Sequence, residues 1–282
     1  MKPPYIAPVR AVSILALSIA ALAACAPRAE TPASAAVDPA IAAATERLMG
    51  MISCTDRVRS DDYENRFAST DCRLDLGATP EAGFGVVTFA PRTAEAELGE
   101  TSVAVLKSSA EPPVVTLTES AVYDYIAAPE LADVDADGLN DILIPLSTGN
   151  VNTTYGVWLQ RAGLTFTRAG ELGSLPLRTP EGVIFAQGRS SAASWTSEFY
   201  TLEADTLRRV AVVDVVAEDT AGEGDAMTVT STVCSVRIRE GSTLTAEALC
   251  ALPEVKDMYG EATQRIIVAD ADPTFVWDDT SL

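Results

Sequence analysis

From Gly83 onward the chain is a succession of short Val-, Thr-, Phe-, Tyr- and Leu-rich runs separated by Gly, Pro, Asp and Ser. The runs fall at residues 84–90, 102–107, 114–118, 122–126, 141–146, 155–160, 164–168, 183–187, 198–202, 207–216, 227–238 and 265–269. β-Branched and aromatic residues suit a pleated, half-buried surface. Turn signals every roughly 8–12 positions leave no room for the crossover helices of a fully parallel sheet. The pattern predicts an all-β domain, either propeller-like or a sandwich. No repeat of fixed period separates the two alternatives. At 282 residues and 48% hydrophobic composition, the chain can fill a sizeable core as one large domain or two small ones.

Charge narrows the function classes. The chain has 40 acidic and 20 basic residues, and the first 24 residues hold Lys2 and Arg10 but no acid, so the remainder is more negative than the −20 of the whole. Such a surface repels nucleic acid and anionic lipid and favours a basic protein partner. The absence of histidine removes Ser-His-Asp and Cys-His nucleophile pairs and His-based zinc sites. Neither a G-x-S-x-G elbow nor an S-x-x-K pair occurs, and only Lys107 and Lys256 follow the first 24 residues. An enzyme is therefore disfavoured, with a carboxylate-based glycan hydrolase the least poorly supported form of one.

The front of the chain reads as an address. Lys2 and Arg10 precede an apolar stretch over residues 11–24 interrupted only by serines, the form of a secretory signal and too short to span a bilayer. It ends Leu22-Ala23-Ala24-Cys25, which resembles a bacterial lipobox and implies cleavage after residue 24 and lipidation of Cys25. Ala26 in place of Asp, by resemblance to other lipoproteins, implies the outer membrane and a periplasm-facing protein anchored through its acyl chains. Residues 25–37 are Ala- and Pro-rich and read as a flexible tether. Asp38 as N-cap and Pro39 at the first helical position start a short amphipathic helix with Ile41, Ala44, Leu48 and Ile52 on one face, which Gly50 weakens or ends. The mainly β domain then covers 38–282. Four further cysteines, Cys54, Cys72, Cys234 and Cys250, form an even set in an exported chain and suggest two disulfides. Of the three possible pairings, the local one, 54 with 72 and 234 with 250, closes the shortest loops at least entropic cost.

Residues 131–144 read LADVDADGLNDILI. Asp133, Asp135 and Asp137 alternate, Gly138 follows, and Asp141 completes D-x-D-x-D-G-x-x-D at the head of an apolar strand. Calcium takes about six to eight oxygens at roughly 2.3–2.6 Å, and such spacing turns alternate side chains inward while the glycine makes the sharp turn. Leu139 would add its backbone carbonyl. An EF-hand needs a Glu at the twelfth position and flanking helices, whereas this chain has Ile144 and a strand. The reading is a strand-flanked calcium loop in which the ion is structural; the alternative is an Asp-rich turn that binds nothing.

The loop resembles one FG-GAP or VCBS-type unit. Its extension through the polar loop STGNVNTT, Tyr155-Gly156-Val157-Trp158-Leu159 and the 183–210 segment resembles a family of exported single-calcium-loop β-proteins. That family includes immunity lipoproteins that inhibit lysozyme-like effectors of bacterial type IV secretion systems. The resemblance covers residues 131–216. It implies a cell-wall hydrolase as the basic partner, met by a loop that fills its cleft. Residues 147–155, with Asn152 and Tyr155, and residues 190–195, with Trp195, are the candidate loops; strand packing is the competing role for both aromatics. The composition favours a protein-binding module, with the immunity-type inhibitor as alternative.

Overall fold

The computed structural model describes residues 46–55, 71–77, 83–90, 99–107, 112–121, 128–149, 151–222, 228–269 and 275–277. The expected signal, the expected lipidation site Cys25, the expected tether, the first half of the expected N-terminal helix and the expected 122–126 strand lie outside them. Residues 46–49 are helical with Leu48 buried; the helix gives way at Gly50, and Ile52 is 48% exposed. None of the helices among the described residues is long and apolar enough to cross a membrane.

Three sheets are formed among the described residues, and the architecture is all-β and sandwich-like. The first is an antiparallel meander of β1 (Cys72–Asp75), β2 (Phe84–Ala90), β3 (Gly99–Leu106) and β4 (Val115–Ala121). The second is a meander of β5 (Glu130–Ala132), β6 (Asp141–Thr148), β7 (Thr153–Arg161) and β8 (Thr165–Leu172). The third has six strands. β9 (Leu177–Arg178), β10 (Ile184–Ser191), β11 (Ser194–Glu203), β12 (Thr206–Ala221) and β13 (Thr228–Ile238) follow one another, and β14 (Thr263–Val268) lies parallel to β13 at the edge. A parallel neighbour needs a crossover, and the chain supplies it with two short helices, α1 (Ala246–Cys250) and α2 (Pro253–Lys256).

The sheets are layered by their apolar faces. Leu74, Val87, Val103 and Leu117 of the first sheet meet Ile142 and Ile144 of the second. On the other side of the second sheet, Leu143, Val157 and Leu159 meet Ile184, Ala186 and Tyr200 of the third. The outer face of the third sheet, with Phe185 stacked on Phe199 at 5.1 Å, is covered by Leu249, Leu252 and Val255 of the helical crossover. β6 is therefore buried from Asp141 to Pro145, because successive side chains point to opposite faces and both faces are covered.

Two fully buried disulfides are built into the first and third of these cores. Cys54 is bonded to Cys72 at the start of β1, and Cys234 of β13 to Cys250 of α1, which is the local pairing. Each closes a loop of 18 or 16 positions, a constraint on the unfolded chain worth about 3 kcal/mol in the chain-entropy model.

Candidate functional site

The Asp-rich loop leads from β5 into β6, between residues whose backbones are fixed by the sheet. Asp141 opens β6 and is fully buried. One carboxylate oxygen accepts the Val134 N–H at 2.7 Å and the other the Gln160 N–H at 2.8 Å, so the residue ties the start of the loop to β7. Burial pushes its carboxyl up to about 6, against the pull of the Gln160 and Val134 N–H groups and with help from the nearby Asp135 and Asp137 charges. Asp133 accepts the N–H groups of Asp137 at 3.0 Å and Gly138 at 3.1 Å. Ala136 and Gly138 both have positive φ, at 60° and 86°, which turns the chain sharply enough to bring these donors back to Asp133.

The donor set suits a hard cation. Oxygens bound to one calcium at roughly 2.3–2.6 Å are separated by at most about 5 Å, and one oxygen from each of Asp133, Asp135 and Asp141 lies within 4.8 Å of the others. All are carboxylate oxygens, the ligand class calcium prefers over soft metals. These three carboxylates could hold a metal ion. Asp137 is placed differently from the spacing-based expectation: it belongs to no such convergent group, one of its oxygens accepts the Leu139 N–H at 2.8 Å and the other faces Arg161 at 3.4 Å. Leu139 is half-buried at the seventh position of the loop.

Each of the three sheets holds the loop. Asn140 donates to the Leu76 carbonyl, just past β1, at 2.9 Å. Within the second sheet Asp141 accepts from Gln160, and Val134 is buried in the core shared with the third sheet. From the third sheet, Arg178 of β9 donates to the Val134 carbonyl, and Asp205, in the turn between β11 and β12, pairs with Arg161. Asn140, Arg161, Arg178 and Asp205 were not legible as site residues, because most of their partners lie 24–64 positions away and only the fold brings them in.

The two candidate partner loops meet at the far end of β6. The Asn152 side chain donates to the Arg189 carbonyl at 2.8 Å and accepts the Arg189 N–H at 2.9 Å, which clamps the β6–β7 loop onto β10. Val151 beside it is 61% exposed, and residues 190–193 are exposed. Trp195 is half-buried with the Arg189 guanidinium 6.0 Å from its ring centre. Tyr155 lies elsewhere: it is 6% exposed, packs in the core between the second and third sheets, and donates its hydroxyl to Glu130 at 2.8 Å. Of the two roles left open for that aromatic, packing is the one its position serves.

One further polar network joins the first two sheets. Glu119 of β4 accepts from Trp158 Nε1 at 2.8 Å and Arg168 Nε at 2.7 Å, and Arg168 also reaches Glu171 at 3.0 Å. Gly156 makes the approach possible, since a Cβ there would sit 2.6 Å from the Glu119 carboxylate.

A layered all-β protein with a convergent carboxylate loop is the class these features define. No protein-family model matches the chain, and no curated protein matches it. A solved structure described as that of a Xanthomonas type IV secretion system related protein aligns over 58% of this chain and 94% of its own length, with 12% identity and a TM-score of 0.36. A likeness at that level carries no argument about function.

Proposed function

We propose that the chain is a calcium-stapled protein-binding module of the bacterial envelope, lipid-anchored at Cys25 and facing the periplasm from the outer membrane. The observation that carries the metal half is the convergence of Asp133, Asp135 and Asp141 at a loop hydrogen-bonded to the Leu76 carbonyl just past β1, to β7 and to β9. An ion there would neutralise crowded carboxylates and supply folding free energy where the sheets meet, which is a structural and not a catalytic task. Leu139 and solvent would complete its oxygen shell.

The binding half rests on the acidic surface and on the clamped loop pair at the other end of β6. Tethering two loops through Asn152 and Arg189 lowers the entropic cost of presenting Val151, residues 190–193 and Trp195 to a partner. The finer reading, an immunity-type inhibitor of a lysozyme-like hydrolase, is favoured by the same feature, because filling a sugar cleft needs a stiff projecting element. A basic hydrolase would also be steered by the negative field.

The test is a capture experiment from native envelope in calcium and in EGTA, using the protein from residue 26 onward and mass spectrometry of what is retained. A basic cell-wall hydrolase retained by wild type and lost with the W195A/N152A pair supports the inhibitor reading. Retention of other envelope proteins supports a general binding module, and no retained protein in either condition defeats the binding half.

A further inference from the structure

Arg161, the last residue of β7, has a position at the loop that the Asp spacing does not foretell. Its Nη1 donates to Asp135 at 2.7 Å and to the Gln160 carbonyl at 2.9 Å, and it faces Asp137 at 3.4 Å; its Nη2 donates to Asp205 at 2.6 Å. One guanidinium thus stands between two acids of the loop and one acid of the β11–β12 turn. That turn is itself constrained, since Ala204 and Asp205 both have positive φ, at 48° and 64°. Asp135 belongs to the convergent trio, so the fixed positive charge of Arg161 is bonded to one of the very groups that would hold a metal ion.

We propose that Arg161 sets the cation affinity of the loop: it is a tethered counter-charge that keeps the loop folded without metal and lowers its affinity for calcium. The proposal rests on the metal-site reading above. Three physical arguments carry it. The guanidinium occupies one Asp135 oxygen, leaving the other, which also accepts the Asp137 N–H at 3.3 Å. A like charge bonded to a ligand repels an arriving divalent ion, and in oxygen-ligand loops affinity follows net ligand charge, from nanomolar in highly charged rigid sites to about 10⁻⁴–10⁻³ M in extracellular modules. Finally, crowded carboxylates without an ion repel one another, and Arg161 relieves two of them before any ion arrives. The site is thereby suited to the weak end of that range, where occupancy follows the calcium of the surroundings.

Calorimetric titration with calcium chloride, alongside thermal melts in EGTA, tests this on the whole domain with R161Q and R161K. Wild type is expected to bind in the 10⁻⁴–10⁻³ M range. R161Q is expected to bind at least tenfold tighter and to melt lower in EGTA. R161K, which keeps the charge and loses the planar fork, is expected to stay within threefold of wild type. Unchanged or weaker binding by R161Q overturns the proposal and leaves the metal site standing, as does tightening in R161K equal to that in R161Q. No binding heat in any of the proteins defeats the metal reading itself and the proposal with it. If R161Q folds only with calcium present, it shows the expected loss of the built-in counter-charge; failure to fold in 10 mM calcium also overturns the proposal, because Arg161 would then be needed whatever ion is present.

Discussion

The two ends of β6 are held by opposite means. At its start, Asp141 is fully buried and the neighbouring loop is fastened by carboxylates and arginines. At its finish, Asn152 fastens the chain to β10 through one neutral amide, and Val151 beside it is exposed to solvent. Charged fastenings are stiff and sensitive to ions, whereas a neutral clamp leaves the surface free for another protein. The difference teaches that the carboxylate loop and the candidate partner surface are separate devices at opposite ends of the paired strands β6 and β7. An ion bound at one end would act on the other through those two strands.

The largest break should come at Asp141. Replacing it with alanine leaves the Val134 and Gln160 N–H groups buried and unpaired, which costs about 3 kcal/mol or more by urea denaturation. Next comes the metal itself. With calcium at about 30 times its dissociation constant, the domain should gain about 2 kcal/mol over the same protein in EGTA, a rise of roughly 4–8 °C in Tm. D135N should abolish most of that gain, and melting curves that coincide in calcium and EGTA for wild type would remove the metal from the picture. A smaller effect is expected at the other end: N152A should cost about 1–2 kcal/mol and leave the calcium gain intact. If N152A also removes the calcium response, the two ends are coupled and the separation drawn above is wrong. The smallest effect belongs to V151S, which should move stability by no more than about 0.5 kcal/mol and register only in partner capture.

Much of this layout is written locally in the chain. The strand runs from 84–90 to 227–238 mark β2 and most of the strands through β13, because burial on one or both faces imposes an apolar pattern over six or more residues, whereas the run at 265–269 marks β14 although Ile266, Ile267 and Val268 are exposed. β5 and β9, at three and two residues, are too short for a period to show. The helices of the crossover span five and four residues, less than the two turns that amphipathic spacing needs. Their end signals were present: Thr245 caps α1 by accepting the Ala248 N–H, and Pro253 starts α2. The D-x-D-x-D-G-x-x-D pattern located the carboxylate cluster, yet it could not foresee Arg161 and Asp205, whose positions depend on how two sheets stack. Tyr155 shows the same limit. An aromatic beside a polar loop serves equally as an anchor or as strand packing in the sequence, and only the fold decides for packing: the third sheet covers β7, and the ring is enclosed.

β6 has one more consequence. Ile142 and Ile144 serve the core toward the first sheet while Leu143 serves the core toward the third. No layer can peel away without stripping one face of that strand. Its amide protons should therefore exchange with deuterium only when the whole stack opens, at one common free energy across 142–144, and the rate at those three positions measures global unfolding for both cores at once.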